Sequence, residues 1–151
     1  NWERFQRDPK AVHFSYRDRY QAYAGELKKV GLEPIPLVGY DPAVLAATLT
    51  REKVTAALSL RSPPPEVLFL AAQRAGLAIP ESLSLASFDV EARLPVRGFC
   101  VGGITHDRFE KGELAASLIL EQVDAPGKPV LSCSYTGTYL EGDSIRLPPV
   151  K

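Results

Sequence analysis

The chain of 151 residues contains no methionine, one tryptophan and only two cysteines. Two cysteines are too few for a disulfide framework, and Cys100 and Cys133 do not have the spacing of metal ligands. Their scarcity favours a reducing, cytoplasmic setting without a bound metal ion. Because methionine is absent even at position 1, we expect the chain to be a fragment of a longer protein.

Long apolar runs and an excess of charge are also missing. No apolar run approaches the roughly 20 residues that a membrane-spanning helix needs, and the first residues are too polar for a secretory signal. The 18 basic residues balance the 18 acidic ones, so the sequence lacks the electrostatic footprint of nucleic-acid binding. We expect a soluble chain that contacts neither a membrane nor DNA through these residues.

Motifs that would indicate catalysis are absent as well. There is no Walker loop, no Gly-x-Ser-x-Gly elbow and no His-Glu-x-x-His helix. The strongest catalytic pair would join Cys100 to His106 or His13, but the apolar neighbours of Cys100 predict a buried structural thiol. Gly102 and Gly103 favour close packing between strands over a phosphate loop. We therefore expect neither enzymatic activity nor a cofactor.

The sequence does contain a regular alternation of strand and helix patterns. Apolar spacing and glycine stops predict helices that end at Gly31, near Leu49, at Gly76 and near Val123. Strand patterns cover residues 10–14, 33–38, 54–60, 83–88, 98–104 and 130–140. This alternation requires right-handed crossovers, so we predict an α/β fold with a mainly parallel sheet and helices on both faces.

Three helix starts carry capping signals. Asp41 precedes Pro42, a favourable residue in a first turn. Ser62 precedes three prolines and is a candidate cap for the next helix. Asp107 is followed by Glu110 at the spacing of a capping box.

Polar side chains follow two of the predicted strands. Arg61 comes directly after the strand at 54–60, and Asp89 directly after the strand at 83–88. Ligands gather at the carboxyl edge of an open α/β sheet, so both residues are candidates for a binding cleft. A surface salt bridge remains the alternative for Arg61, and an exposed loop position remains the alternative for His106.

The segment from Arg61 to Asp89 resembles, without a gap, a pattern of the LacI/GalR family of transcriptional regulators. In that family the corresponding sequence is usually Asn-Asp, then a helix, Gly, Val-Pro-Glu and Ser-Val-Val-Gly-Phe-Asp-Asp. The matching residues here are Arg61-Ser62, Gly76, Ile79-Pro80-Glu81 and Ser84-Leu85-Ala86-Ser87-Phe88-Asp89. Two further matches are Arg17-x-Arg19-x-x-Ala22-Tyr23 upstream and Asp107 with Gly112 downstream.

The resemblance implies a type I periplasmic-binding-protein-like fold. Residues 1–151 would form a partial effector-binding domain, mostly its carboxyl-terminal lobe, with 99–128 returning toward a missing amino-terminal lobe. The implied function is ligand sensing in a LacI-type regulator, which contacts DNA only through an absent helix-turn-helix head. A periplasmic sugar-binding protein of an ABC transporter is the alternative, and sequence upstream of Asn1 would distinguish the two.

The resemblance also implies a ligand site for a sugar or a related small metabolite. Arg19 falls on the family's effector-clamping arginine, and Asp89 on the aspartate that accepts hydrogen bonds from ligand hydroxyls. Tyr40 lies near the family's aromatic wall and His106 near a polar hinge residue. Arg61 replaces a neutral amide and adds positive charge, which shifts the expected ligand toward an anionic one such as a sugar phosphate.

A homodimer is predicted from the apolar run at residues 67–72. Six successive apolar residues cover the whole circumference of a helix, so a second apolar face would be left for an interface. The alternative is that a neighbouring helix or the proline-rich tail covers this face. In the resembling family this helix lies at the dimer seam. One of Val67, Phe69 or Leu70 is expected to face the symmetry mate, with Val96 and Arg97 nearby.

Overall fold

The structure is a computed structural model of the chain and describes residues 2–60, 63–90, 98, 100–129 and 132–147. The helices are α1 (Trp2–Arg7), α2 (Phe14–Lys29), α3 (Pro42–Arg51), α4 (Pro65–Arg74) and α5 (Arg108–Asp124), with a 3-10 helix at Pro9–Ala11. The strands are β1 (Ala56–Ser59), β2 (Ser84–Ser87), β3 (Gly102–Thr105) and β4 (Thr138–Leu140). None of the described helices is long and apolar enough to cross a membrane.

The strands form one four-stranded sheet in the order β1-β2-β3-β4. β1, β2 and β3 are parallel, with Ala57 opposite Leu85 and Ser87 opposite Gly103. β4 runs antiparallel to β3. Helices flank the sheet, which confirms the predicted α/β class with a mainly parallel sheet.

The core lies where α3 and α4 pack together and α4 packs on β2. Its largest fully buried apolar side chains are Leu45, Leu49, Leu68, Leu83 and Leu85. They come from α3, α4, β2 and the residue before β2, so one apolar layer joins the helices to the sheet. Burial of large side chains of this kind contributes about 2 kcal/mol each.

This packing also accounts for the apolar run in α4. Phe69 is only 7% exposed because it belongs to the core of its own chain. Val67 is half-buried and packs against the same core, whereas half-buried Leu70 does not belong to it. Because Val96 and Arg97 lie outside the described residues, Leu70 is the predicted dimer residue that remains available for an interface in the described part of the chain.

Two of the three caps that the sequence indicates are present in the structure. The Asp41 carboxylate accepts a hydrogen bond from the Ala43 amide at 2.8 Å, and Asp107 accepts bonds from the amides of Phe109 and Glu110, each at 2.9 Å. Gly76, just after α4, has a φ of +69°, a left-handed conformation that favours glycine.

The start of α4 differs in detail from the prediction. Its N-cap is Pro64, which makes no side-chain capping bond. Ser62, the predicted cap, lies outside the described residues.

The predicted strand at Lys10–Phe14 is wrong. The Asp8 carboxylate accepts a bond from the Lys10 amide at 2.9 Å and thereby caps the 3-10 helix. His13 then caps α2, of which Phe14 is already the first residue. Local capping bonds take the place of a sheet ladder over this stretch.

The predicted strand at Glu33–Val38 is also wrong, since no strand is formed there. Pro34 and Pro36 have no amide hydrogen, so two ladder donors are lost within six residues. A cavity of about 350 Å³ separates this segment from β1, and α2 lines it as well. Tyr16 and Tyr23 line this cavity, and their burial raises the pKa of both above the usual tyrosine value.

The predicted carboxyl-terminal β-structure is shorter than expected. Strand β4 covers only Thr138–Leu140. Residues 132–137 are described and form no strand, whereas residues 130 and 131 lie outside the described part.

Candidate functional site

A bidentate ion pair joins α2 to the end of β2. Arg19 Nη1 lies 2.7 Å from Asp89 Oδ2, and Arg19 Nη2 lies 3.0 Å from Asp89 Oδ1. Arg19 Nη1 also donates to the carbonyl of Leu60 at 3.3 Å, just beyond β1. The guanidinium carbon lies 5.3 Å from the centroid of the Phe88 ring. One arginine therefore bridges the carboxyl ends of two neighbouring strands.

The Arg19–Asp89 pair orients the Asp89 carboxylate and adds little to the stability of the fold. The side chains of Arg19 and Asp89 are 25% and 35% exposed, so water screens their attraction. A partly exposed pair of this kind contributes at most about 1 kcal/mol to stability. Its two parallel hydrogen bonds nevertheless fix the plane of the Asp89 carboxylate.

Asp89 faces a cleft of about 560 Å³ at the carboxyl ends of β2 and β3. Carboxylates, hydroxyl groups, one imidazole and one guanidinium make up most of its wall. The described residues that line it are Asp89, Val90, Thr105, His106, Asp107, Arg108, Glu110, Tyr135 and Thr138. A polar cleft at this edge of the sheet suits a ligand with several hydrogen-bonding groups.

His106 enters the cleft directly after β3. Its Nδ1 atom is buried and has no hydrogen-bond partner among the described residues. Gly137 packs against the ring so closely that a Cβ atom there would lie 2.6 Å from His106 Cε1. The same Cβ atom would lie 2.8 Å from Nδ1, so this nitrogen lies against Gly137.

Tyr135 and Glu110 form a second polar unit of the cleft. The Tyr135 hydroxyl donates to Glu110 Oε2 at 2.6 Å, and this bond raises the pKa of Tyr135 above the usual tyrosine value. Lys111 Nζ lies 4.9 Å from the centroid of the tyrosine ring. The ring centroids of Tyr135 and His106 are 6.3 Å apart. The start of α5 is thereby joined to the segment before β4.

Three of the five predicted site residues come together here. Arg19 contacts Asp89, and Asp89 and His106 line the same cleft. Tyr40 lies just before α3, is 63% exposed and is not among the described lining residues. Arg61 lies outside the described residues. Whether any of them binds a ligand stays a prediction.

The cysteines lie away from the cleft lining. The prediction that Cys100 is buried is wrong, because β3 begins only at Gly102 and Cys100 is exposed before it. Its amide donates to Asp143 Oδ1 at 2.7 Å. Within the described ranges, no group of His, Cys, Asp and Glu side chains is arranged to hold a metal ion.

Sequence reasoning missed Tyr135 and Glu110 as cleft residues. Glu110 is recognisable only as the partner of the Asp107 cap, and Tyr135 falls in a stretch predicted as β-structure. Their contact spans 25 positions of the chain, and no local spacing rule connects residues so far apart.

Comparisons with known proteins give fold-level similarity only. No protein-family model matches the chain, and no curated protein matches it significantly. Among solved structures, an uncharacterized protein from Actinobacillus succinogenes is 19% identical, with a TM-score of 0.61 over 85% of this chain and 49% of that one. A LacI-family transcriptional regulator from Sanguibacter keddieii is 18% identical, with a TM-score of 0.62 over 83% of this chain and 51% of that one.

The chain thus spans about half the length of these two proteins. Identities this low establish a shared fold and leave the ligand open. The resemblance noted from the sequence is confirmed at the level of the fold, which this chain shares with about half of a LacI-family regulator.

Proposed function

We propose that the chain is the ligand-sensing part of a LacI-type transcriptional regulator and binds a sugar or a related small metabolite in the cleft beside Asp89. The observation that carries this proposal is the Arg19–Asp89 pair at the carboxyl edge of the sheet, open to a cleft of about 560 Å³. Arg19 holds the carboxylate in place, and the carboxylate accepts hydrogen bonds from ligand hydroxyls. DNA is contacted by a helix-turn-helix head outside these residues, in the cytoplasm, and no catalysis is involved.

A missing lobe is supported by the surface of α5. No residue of this 17-residue helix is buried, and Phe109, Ile119, Leu120 and Val123 are each more than 60% exposed. Helical spacing places these four side chains within about 100° of one another, on one face. An apolar face of this size is typical of an interface. We propose that 99–128 packs against an amino-terminal lobe and that this chain alone binds effector weakly.

Weak binding is best measured by heteronuclear NMR. We would titrate the labelled chain separately with D-glucose, D-galactose, D-ribose and D-glucose 6-phosphate and follow the amide signals of Asp89 and His106 and the side-chain signal of Arg19. At least one probe is expected to shift all three signals. Asp89→Asn should weaken that binding at least about 10-fold, because a charged acceptor is lost.

Asp124→Asn is the matched control, since it removes an exposed carboxylate at the far end of α5. It should leave binding unchanged. The proposal fails if no probe shifts the three signals at high millimolar concentration. It also fails if Asp89→Asn binds the probes as well as the original chain does.

A homodimer belongs to the same proposal, because a two-fold regulator suits a palindromic operator. The half-buried Leu70 of α4 is the residue we expect at the seam. Leu70→Lys should convert a dimer to a monomer in light scattering, while Gln21→Lys, at an exposed position of α2, should not. A chain that is monomeric at high micromolar concentration contradicts the expectation.

A further inference from the structure

We infer that Tyr135 is the aromatic stacking surface of the cleft and that Glu110 is the positioning residue that holds it there. The inference rests on the proposed function, because it names a further recognition residue of the same site. Tyr40, the aromatic residue expected from the sequence, is not among the described residues that line the cleft. Tyr135 lines it together with Asp89 and His106.

The ring of Tyr135 is held from two sides. Its hydroxyl donates to Glu110 Oε2 at 2.6 Å, and Lys111 Nζ lies over one face of the ring, 4.9 Å from its centroid. A tyrosine fixed in this way loses little conformational entropy when a ligand binds. The ligand stacks on the face that Lys111 does not cover, while Asp89 accepts hydrogen bonds from its hydroxyl groups.

The charge of the lining indicates which ligand suits this surface. Three carboxylates line the cleft, from Asp89, Asp107 and Glu110, against the single guanidinium of Arg108 among the described lining residues. Two further cations lie near this lining: Arg19 is paired with Asp89, and Lys111 lies over the Tyr135 ring. These three cations only balance the three carboxylates, so the described residues provide no excess of positive charge to hold an anionic group. The stacked ligand is therefore an uncharged ring that carries hydroxyl donors, which differs from the anionic ligand expected from Arg61.

Four variants test the inference with D-glucose, D-galactose and D-ribose as probes in the NMR titration. Tyr135→Leu removes the ring and should weaken binding about 10-fold, and Tyr135→Phe keeps the ring and should weaken it less. The loss of binding in Glu110→Gln should lie between the losses in these two variants. Tyr139→Leu is the control, because Tyr139 is 58% exposed on β4 and is not among the lining residues.

A measurement without ligand tests whether Glu110 positions Tyr135 or only contributes to the fold. In a spectrophotometric titration of phenolate absorbance, Glu110→Gln should lower the pKa of Tyr135, because the bond to Glu110 is the main cause of its raised value. The contribution of Tyr135 is isolated by subtracting the Tyr135→Phe curve. An unchanged tyrosine titration in Glu110→Gln overturns the role of Glu110.

The two proposals fail in different ways. If Asp89→Asn abolishes binding while Tyr135→Leu binds the probes as the original chain does, the stacking role is wrong and the proposed function stands. If none of the probes shifts the signals of Asp89 and His106, the proposed function itself fails. If D-glucose 6-phosphate binds more tightly than D-glucose, the uncharged ligand is wrong.

Discussion

Alanine in place of Gly103 is expected to lower the free energy of unfolding by about 4 kcal/mol, which is a large part of the stability of a domain of this size. Gly103 lies opposite Ser87 where β3 pairs with β2. A Cβ atom at Gly103 would overlap the carbonyl oxygen of Ser87, and the glycine has a φ of +157°. The obstructing atom belongs to the backbone and cannot rotate away. Urea denaturation followed by circular dichroism measures the change.

Two other glycines provide matched controls. At Gly102 a Cβ atom would lie 2.6 Å from Ile145 Cδ1, the end of a flexible side chain, so Gly102→Ala should cost much less than Gly103→Ala. Gly112 lies in α5 with nothing within 4 Å, and Gly112→Ala should stabilise the chain by about 0.5 kcal/mol or more. Equal losses at Gly102 and Gly103 would contradict the close-approach argument.

The change at Gly103 also bears on the site. Ser87 is the last residue of β2 and lies two positions before Asp89. A displaced Ser87 carries Asp89 away from Arg19. The glycine pair that resembles a phosphate loop in the sequence is therefore a packing device, as predicted, and it positions the carboxylate of the cleft.

Local signals predicted most of the helices and the parallel strands. Asp41, Asp107 and Gly76 act within a few residues of their own position, so their capping and stop roles are readable from spacing. Asp89 is predictable because the end of a strand is a local feature of the sequence. Ligands generally bind at the carboxyl edge of an open α/β sheet, which is where such a residue lies. The resemblance to LacI/GalR regulators supplied Arg19, whose partner lies 70 positions away.

The failures have two physical causes, one local and one tertiary. Backbone hydrogen bonding, and not the apolar pattern, determines the conformation of residues 10–14 and 33–38. A local cap replaces the sheet ladder in the first stretch, and two prolines remove ladder donors in the second. Cys100 is exposed although its neighbours are apolar, because its amide is held by Asp143 from a distant segment. Tyr135 lines the cleft and contacts Glu110, which lies 25 positions earlier in the chain. Tertiary contacts of this kind leave no trace in local spacing.

Replacing Ser144 with alanine is expected to lower the free energy of unfolding by about 3 kcal/mol, because two backbone groups lose a side-chain partner in a buried place. Ser144 is fully buried. Its hydroxyl donates to the carbonyl of Leu85 at 2.6 Å and accepts a bond from the amide of Gly102 at 3.0 Å. Its own carbonyl accepts a bond from the Leu85 amide at 2.8 Å, and that bond is retained in the variant.

The position of Ser144 explains why one hydroxyl has this effect. β2 and β3 are paired over only two positions, Ala86 with Gly102 and Ser87 with Gly103. Ser144 joins the two strands just before that short ladder, so the segment around it substitutes for missing ladder bonds. Ser134→Ala, at an exposed serine, is the control and should leave stability within about 0.5 kcal/mol of the original. A urea midpoint that is the same in Ser144→Ala and Ser134→Ala would show that the short ladder holds β3 beside β2 without this hydroxyl.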